Sequence, residues 1–385
     1  MSILKVDTIQ KADGTGSLSV PAESGTVVTT ASPSLGRRNL VINGAMQVAQ
    51  RGTSFTGAST GYTLDKWRFE KTATDQLVAD ITQDSDAPVG FSSSLKYTTT
   101  TTETALDADD FVNFQQRFEG QDLTSLGMNV SGAKQFTVSF WVKSSVTGTY
   151  GLWFYVADSN ANIGSTYTVN TANTWEYKTV TFAANTSSGT CNYDNTLGGL
   201  LQFTLAAGSN YTSADNTSWN TTTGTTIKGY GHTAALITTA SSTWQITGVQ
   251  LEVGSVATPF EHRSFGEELA LCQRYYQKSY DYGTAIGTTS TTVGLIATGG
   301  HQGSVTTAFI EGGIVFPVPL RASPTVVFYD EAGNSGKCTR LSTGVGRTSN
   351  QGVSTTASEK TLVFFSSGSA SANIVTGYYT ADAEL

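Results

Sequence analysis

The stretch Phe136-Thr-Val-Ser-Phe-Trp-Val-Lys-Ser144 sets Phe136, Val138, Phe140 and Val142 against Thr137, Ser139, Trp141 and Lys143. Successive side chains of a strand point to opposite faces, so this period of two predicts a half-buried β-strand. The same alternation recurs where Leu201, Phe203 and Leu205 are spaced by Gln202 and Thr204. Leu152 to Val156 (LWFYV) is apolar on both faces, as a central strand would be, and Trp175, Tyr177, Val180 and Phe182 mark a further strand. Clusters of Gly, Ser, Asn and Asp between these runs supply turn chemistry.

Composition extends the reading to the whole chain. Charged residues make up only 14% of the 385, against about 25% in an average soluble protein. Ser, Thr, Asn and 40 glycines carry the polarity, and Thr, Val, Tyr, Phe and Trp are plentiful. That mixture suits pleated sheets joined by tight turns, so the expected class is all-β. The formal net charge of -8 lacks the positive field that counterion-release binding to nucleic acid requires. No nucleic-acid partner is expected. No apolar run reaches the length of a membrane span, so no membrane insertion is expected either. The first residues, MSILKVDTIQKADGTG, have no apolar core typical of a secretion signal, so synthesis in a host cytoplasm without export by a signal peptide is expected. Cys191, Cys272 and Cys338 are odd in number and widely spaced, suggesting neither a disulfide framework nor a zinc site.

Four regions follow from these patterns. In residues 1–36, Ile3, Val6 and Ile9 stand among Gly, Ser, Thr and Pro with no sustained period. Such a segment cannot build its own core, but it can order as an extended attachment arm against a partner or other copies of itself. Residues 37–265 read as one large β domain. Near its end the parity changes between Trp244 and Ile246 and the set Val249, Leu251 and Val253, which predicts a β-bulge at Gly248. Residues 266–282 read as a linking helix of three to four turns. Ser264-Phe-Gly-Glu267 fits a capping box, Leu269, Cys272 and Tyr276 follow at helical steps, and Gly283 stops the run. Residues 283–385 read as a smaller β domain with strands near 292–297, 314–318, 325–329, 362–365 and 373–379. Pro317, Pro319 and Pro324 restrict pairing and make the second of these an edge strand or a capped one.

Several short motifs occur together in order. Asn39-Leu-Val-Ile-Asn-Gly44, Gln50-Arg-Gly52 and Asp65-Lys-Trp67 open the large domain. Phe140-Trp-Val-Lys-Ser144, Thr247-Gly-Val-Gln-Leu-Glu-Val-Gly254 and Thr258-Pro-Phe260 lie later in it. Glu267-Glu-Leu-Ala-Leu-Cys-Gln-Arg-Tyr-Tyr276, Pro319-Leu-Arg-Ala-Ser-Pro324 and Ala381-Asp-Ala-Glu-Leu385 follow, and Lys5-Val-Asp-Thr-Ile-Gln10 precedes them all. As a set they resemble bacteriophage tail-fibre-like virion proteins. The resemblance implies a jelly-roll β-sandwich related to carbohydrate-binding modules and a homotrimer. It also implies attachment to other virion proteins through the arm (Ile3, Val6, Ile9) and a distal end facing the host.

The chemistry available points to binding. His232, His262 and His301 lie in unrelated segments, and no GxSxG, HExxH or P-loop pattern occurs. No spacing pairs two carboxylates across a groove as glycan hydrolysis requires. The chain is therefore read as not an enzyme, with no cofactor. Asp107, Asp109 and Asp110 could together hold a structural Ca²⁺, the plain alternative being an exposed acidic loop. Sugar recognition uses aromatic faces flanked by polar groups. Trp219 with Tyr211 and Asp215 in a polar loop, together with Trp153 and Trp141 on strands, are the carbohydrate-binding candidates, with core packing or a subunit contact as the alternative for each Trp. The expected function is a virion tail fibre that recognises a host surface glycan or outer-membrane protein. A head fibre, decoration or fibre-joint protein is the second reading, and a glycan-cleaving tailspike the third.

Overall fold

The computed structural model describes residues 9–10, 17–18, 37–72, 75–187, 189–212, 217–221, 227–290, 292, 294–299, 308–342, 346–368 and 372–385. Contacts divide the chain into two compact units, Met1–Arg38 and Asn39–Leu385. In the first, β1 (Ile9–Gln10) pairs antiparallel with β2 (Ser17–Leu18), Ile9 opposite Leu18.

The second unit opens with strands β3 (Ser54–Phe55), β4 (Gly61–Tyr62), β5 (Trp67–Thr72), β6 (Val78–Asp84), β7 (Ser94–Thr101) and β8 (Phe111–Glu119). It continues through β9 (Phe136–Ser144), β10 (Gly148–Val156), β11 (Ala161–Val169), β12 (Glu176–Phe182), β13 (Leu197–Ala207) and β14 (Thr243–Val253). They form two six-stranded antiparallel sheets, ordered β11-β10-β13-β8-β5-β4 and β12-β9-β14-β7-β6-β3. From β8 to β14 the chain changes sheet at every step except β10 to β11, the winding of a jelly-roll sandwich. The all-β expectation holds.

Phe136, Val138, Phe140 and Val142 are fully buried between the sheets, as their alternation requires. Rings from opposite sheets meet there: Phe140 with Phe203 at 5.1 Å, Phe136 with Phe154 at 4.8 Å, and Phe114 with Trp244 at 5.9 Å between centroids. The LWFYV strand is central, with β10 between β11 and β13. At Gly248 the β14–β9 register shifts between Thr247 and Gln250, and Gly248 takes φ +62°. The bulge lets Trp244, Ile246, Val249 and Leu251 all reach the core despite their mismatched parity. On the opposite face Thr137 and Ser139 are buried as well. Residues 254–261 fold back over them: Thr137 Oγ1 donates to the Gly254 carbonyl, and Gln250 Oε1 accepts the Glu261 amide.

Among the described residues the helices are short. α1 (Ser209–Thr212) is a single turn and α2 (Phe265–Gln273) has nine residues. The predicted capping box at Ser264 and Glu267 is present. The helix ends earlier than its spacing predicts, because β15 (Tyr276–Lys278) joins a sheet, with Tyr276 opposite Asp382. The apolar residues after Cys272 serve two elements, and strand pairing overrides the helical period.

The remaining strands are β16 (Ile296–Gly299), β17 (Ala308–Val315), β18 (Thr325–Tyr329), β19 (Lys337–Ser342), β20 (Gly346–Gly352), β21 (Ser354–Ala357), β22 (Thr361–Gly368) and β23 (Ala372–Asp382). β23 is the hub, paired with β15, β16, β18 and β19. β17 is an edge strand beside β22, ending two residues before Pro317. Phe316, Phe328, Phe364, Val375 and Tyr379 centre the distal core.

A polar joint ties this part to the sandwich. Glu119, at the end of β8, has a fully buried side chain that accepts Arg274 Nε and Nη2, each at 2.7 Å, and the Tyr275 hydroxyl at 2.7 Å. Arg321 donates to the carbonyls of Asn195 (2.9 Å), Ala383 (2.6 Å) and Glu384 (2.9 Å). The main-chain oxygen of Leu385 accepts Tyr62 Oη at 3.0 Å and Arg117 Nη1 at 2.6 Å.

Candidate functional site

Because Phe140 and Val142 point inward, Trp141 points out of the second sheet. The register sets it opposite Tyr177 on β12 and Thr247 on β14. The Trp141 and Tyr177 rings lie 5.3 Å apart, and Tyr177 is 45% exposed. The bulge builds the other wall. A Cβ on Gly248 would come within 2.6 Å of the Phe91 ring, so the missing side chain is what admits Phe91. Phe91 packs on Phe260 (5.1 Å) and His262 (5.2 Å), and these two meet at 4.9 Å. Val89, fully exposed, and Pro259 complete the rim.

The result is an open groove of about 560 Å³ lined chiefly by aromatic and apolar side chains, with Thr258 and His262 as its polar members. Among the described residues no carboxylate lines it. Beside it, Lys143 pairs with Asp86, which also accepts the Trp175 indole N–H at 3.1 Å, and the Lys143 ammonium lies 5.4 Å from the Trp175 ring centre. Burial lowers the Lys143 pKa from its ordinary value. Such a surface can stack against the C–H faces of a ligand, with the polar cluster positioned for hydroxyls.

The sequence-chosen residues are scattered. Trp141 lies in the groove. Trp153 is 95% buried, stacked on Tyr155 at 5.2 Å, with its indole N–H toward Asn162 Oδ1 at 3.3 Å. Trp219 packs partly on the main core, and its N–H donates to the Ala183 carbonyl at 2.7 Å. Tyr211 is buried against Phe111, with centroids 4.4 Å apart. Asp215, Ile3, Val6 and His301 lie outside the described residues. The acidic trio does not converge: Asp110 Oδ2 accepts the Asp107 amide at 2.8 Å, closing the turn on itself. Among the described residues no group of three or more His, Cys, Asp or Glu is arranged to hold a metal ion.

Tyr177, Phe91, Phe260 and His262 are groove residues that sequence reasoning missed. Tyr177 was legible as a strand residue but not as the cross-strand partner of Trp141, since register is not written in either strand alone.

No family model matches the chain, and no curated protein matches it. Similar solved structures include the enzymatically active domain of bacteriophage CBA120 tailspike protein 4, at 14% identity and TM-score 0.31 over 56% of this chain. The match spans about a fifth (21%) of that tailspike chain. A putative sugar binding protein from Bacteroides thetaiotaomicron is similar at 11% identity and TM-score 0.32, over 56% of this chain and 100% of the other. A family 11 carbohydrate-binding module from Clostridium thermocellum, in complex with a mixed-linked tetrasaccharide, is similar at 10% identity and TM-score 0.27, over 55% and 98%.

Proposed function

We propose that this chain is a bacteriophage virion fibre protein whose sandwich recognises a host surface glycan in the groove between Trp141–Tyr177 and Phe91–Phe260. The observation that carries the binding part is the exposed aromatic groove, built by cross-strand register and a bulge. What supports the virion part is the ordered set of motifs running from Lys5-Val-Asp-Thr-Ile-Gln10 to Ala381-Asp-Ala-Glu-Leu385. In this reading the protein binds without cleaving, assembles as a homotrimer, and is held to the particle by its first 36 residues.

The test is glycan-array binding and adsorption to host cells by the full chain and by Trp141→Ala. The wild type is expected to bind. The variant should lose about 2 kcal/mol, as for a central aromatic anchor. Equal binding by both would move the site elsewhere. If no glycan binds while purified particles capture residues 1–36, the purely structural virion reading replaces this one. A stable monomer in light scattering would exclude the trimer.

A further inference from the structure

Beneath the sandwich, Lys66 and Glu384 face each other out of water. Their side chains are 1% and 5% exposed, and Lys66 Nζ lies 3.5 Å from Glu384 Oε2. The ammonium also sits 3.2 Å from the centre of the Tyr275 ring. Neither Lys66 Nζ nor either Glu384 carboxylate oxygen has a hydrogen-bond partner. Arg51 Nη1 lies 3.4 Å from Glu384 Oε1. An unhydrogen-bonded amine and carboxyl, buried and in contact, are poised for condensation as well as for ion pairing.

We propose that Lys66 and Glu384 join in an intramolecular isopeptide bond. Burial supports the chemistry, since it lowers the Lys66 pKa and raises that of Glu384, favouring amine and acid over the ion pair. The Lys66 ammonium first passes a proton to the Glu384 carboxylate. The freed nitrogen lone pair then forms the N–C bond to Cδ. Negative charge developing on Oε1 is held by the Arg51 guanidinium, as in an oxyanion site. The other carboxyl oxygen leaves as water, carrying its own proton and a second one from the nitrogen. An amine and an acid become an amide and water, with no oxidant or other reactant. The bond would close a covalent loop from the start of the sandwich to the tail, restricting the unfolded chain as a disulfide does.

Intact-mass measurement on the purified full chain reads the result without a variant. A mass one water below the sequence mass is expected, with a branched tryptic peptide joining Gly52–Arg68 to Thr361–Leu385. Glu384→Gln should reach the same final mass by losing ammonia, and Lys66→Arg, checked for fold by circular dichroism, should lose nothing. An unmodified mass in folded wild-type protein overturns the proposal. So does a water loss whose branched peptide joins other residues.

Discussion

Replacing Arg274 by Ala tests the polar joint most directly. The substitution removes two charge-assisted hydrogen bonds of 2.7 Å and leaves the Glu119 carboxylate, whose side chain has no exposure, with the Tyr275 hydroxyl and Gln121 Nε2. Two such bonds at about 1.5–3 kcal/mol each suggest a loss of about 3–6 kcal/mol. Stranding one charge of a buried pair costs about 3–5 kcal/mol. The Arg274 side chain is 32% exposed, so water can enter behind it and the lower end applies. We expect a loss of about 3 kcal/mol. Urea unfolding followed by tryptophan fluorescence measures it, read from the midpoint at constant slope. Adding Glu119→Gln removes the stranded charge, so the double variant should be more stable than Arg274→Ala alone. A loss below about 0.5 kcal/mol for Arg274→Ala would put the pair among ordinary surface bridges and refute the reasoning.

Three further outcomes are expected. Burial lowers the His232 pKa from 6.5 to about 4. The neutral ring's contribution is therefore complete above pH 6.5 and lost as pH falls toward 4, and His232→Gln should flatten that part of the urea-midpoint profile. For Glu176, burial alone would raise the pKa. Hydrogen bonds from Lys178, the Thr171 amide and Asn170 outweigh it and hold the group at about 2. Its contribution should be complete above 4.5, the ordinary value, and vanish as pH falls to about 2, with Glu176→Gln lacking the slope over that range. Gly248→Ala combines a left-handed backbone with a clash on Phe91. The backbone part costs about 1–2 kcal/mol; in a Phe91→Ala background only that part should remain in thermal or urea unfolding.

The sandwich was legible because its signals are local. The alternation at Phe136–Ser144, the parity break at Gly248 and the capping box at Ser264 each follow from a few neighbouring residues, and each is found in the structure. The end of the helix was not legible. Tyr275 and Tyr276 fit a helical period and a strand equally well, and only the distant β23 decides between them. The surroundings of the candidate site residues were not legible for the same kind of reason. Trp219 and Tyr211 sit in polar surroundings along the sequence but pack against Phe154 and Phe111, contacts of long range. Trp141 was a candidate whose orientation followed from the alternation. Its companions came from three other segments, which no local pattern joins.

The position of β23 as hub has a consequence for synthesis. Strands β15, β16, β18 and β19 emerge from the ribosome before the strand that pairs with all four of them. At about 5–20 residues per second, the 305 residues between Trp67 and Ala372 (372 − 67) take roughly 15–60 s to translate. Through that interval Lys66 and Arg51 wait without Glu384, and over its last part, from Tyr276 to Ala372, the distal strands wait with open edges. A nascent chain of this design depends on early closure of the sandwich, or on a chaperone, to avoid pairing with its neighbours on the same polysome.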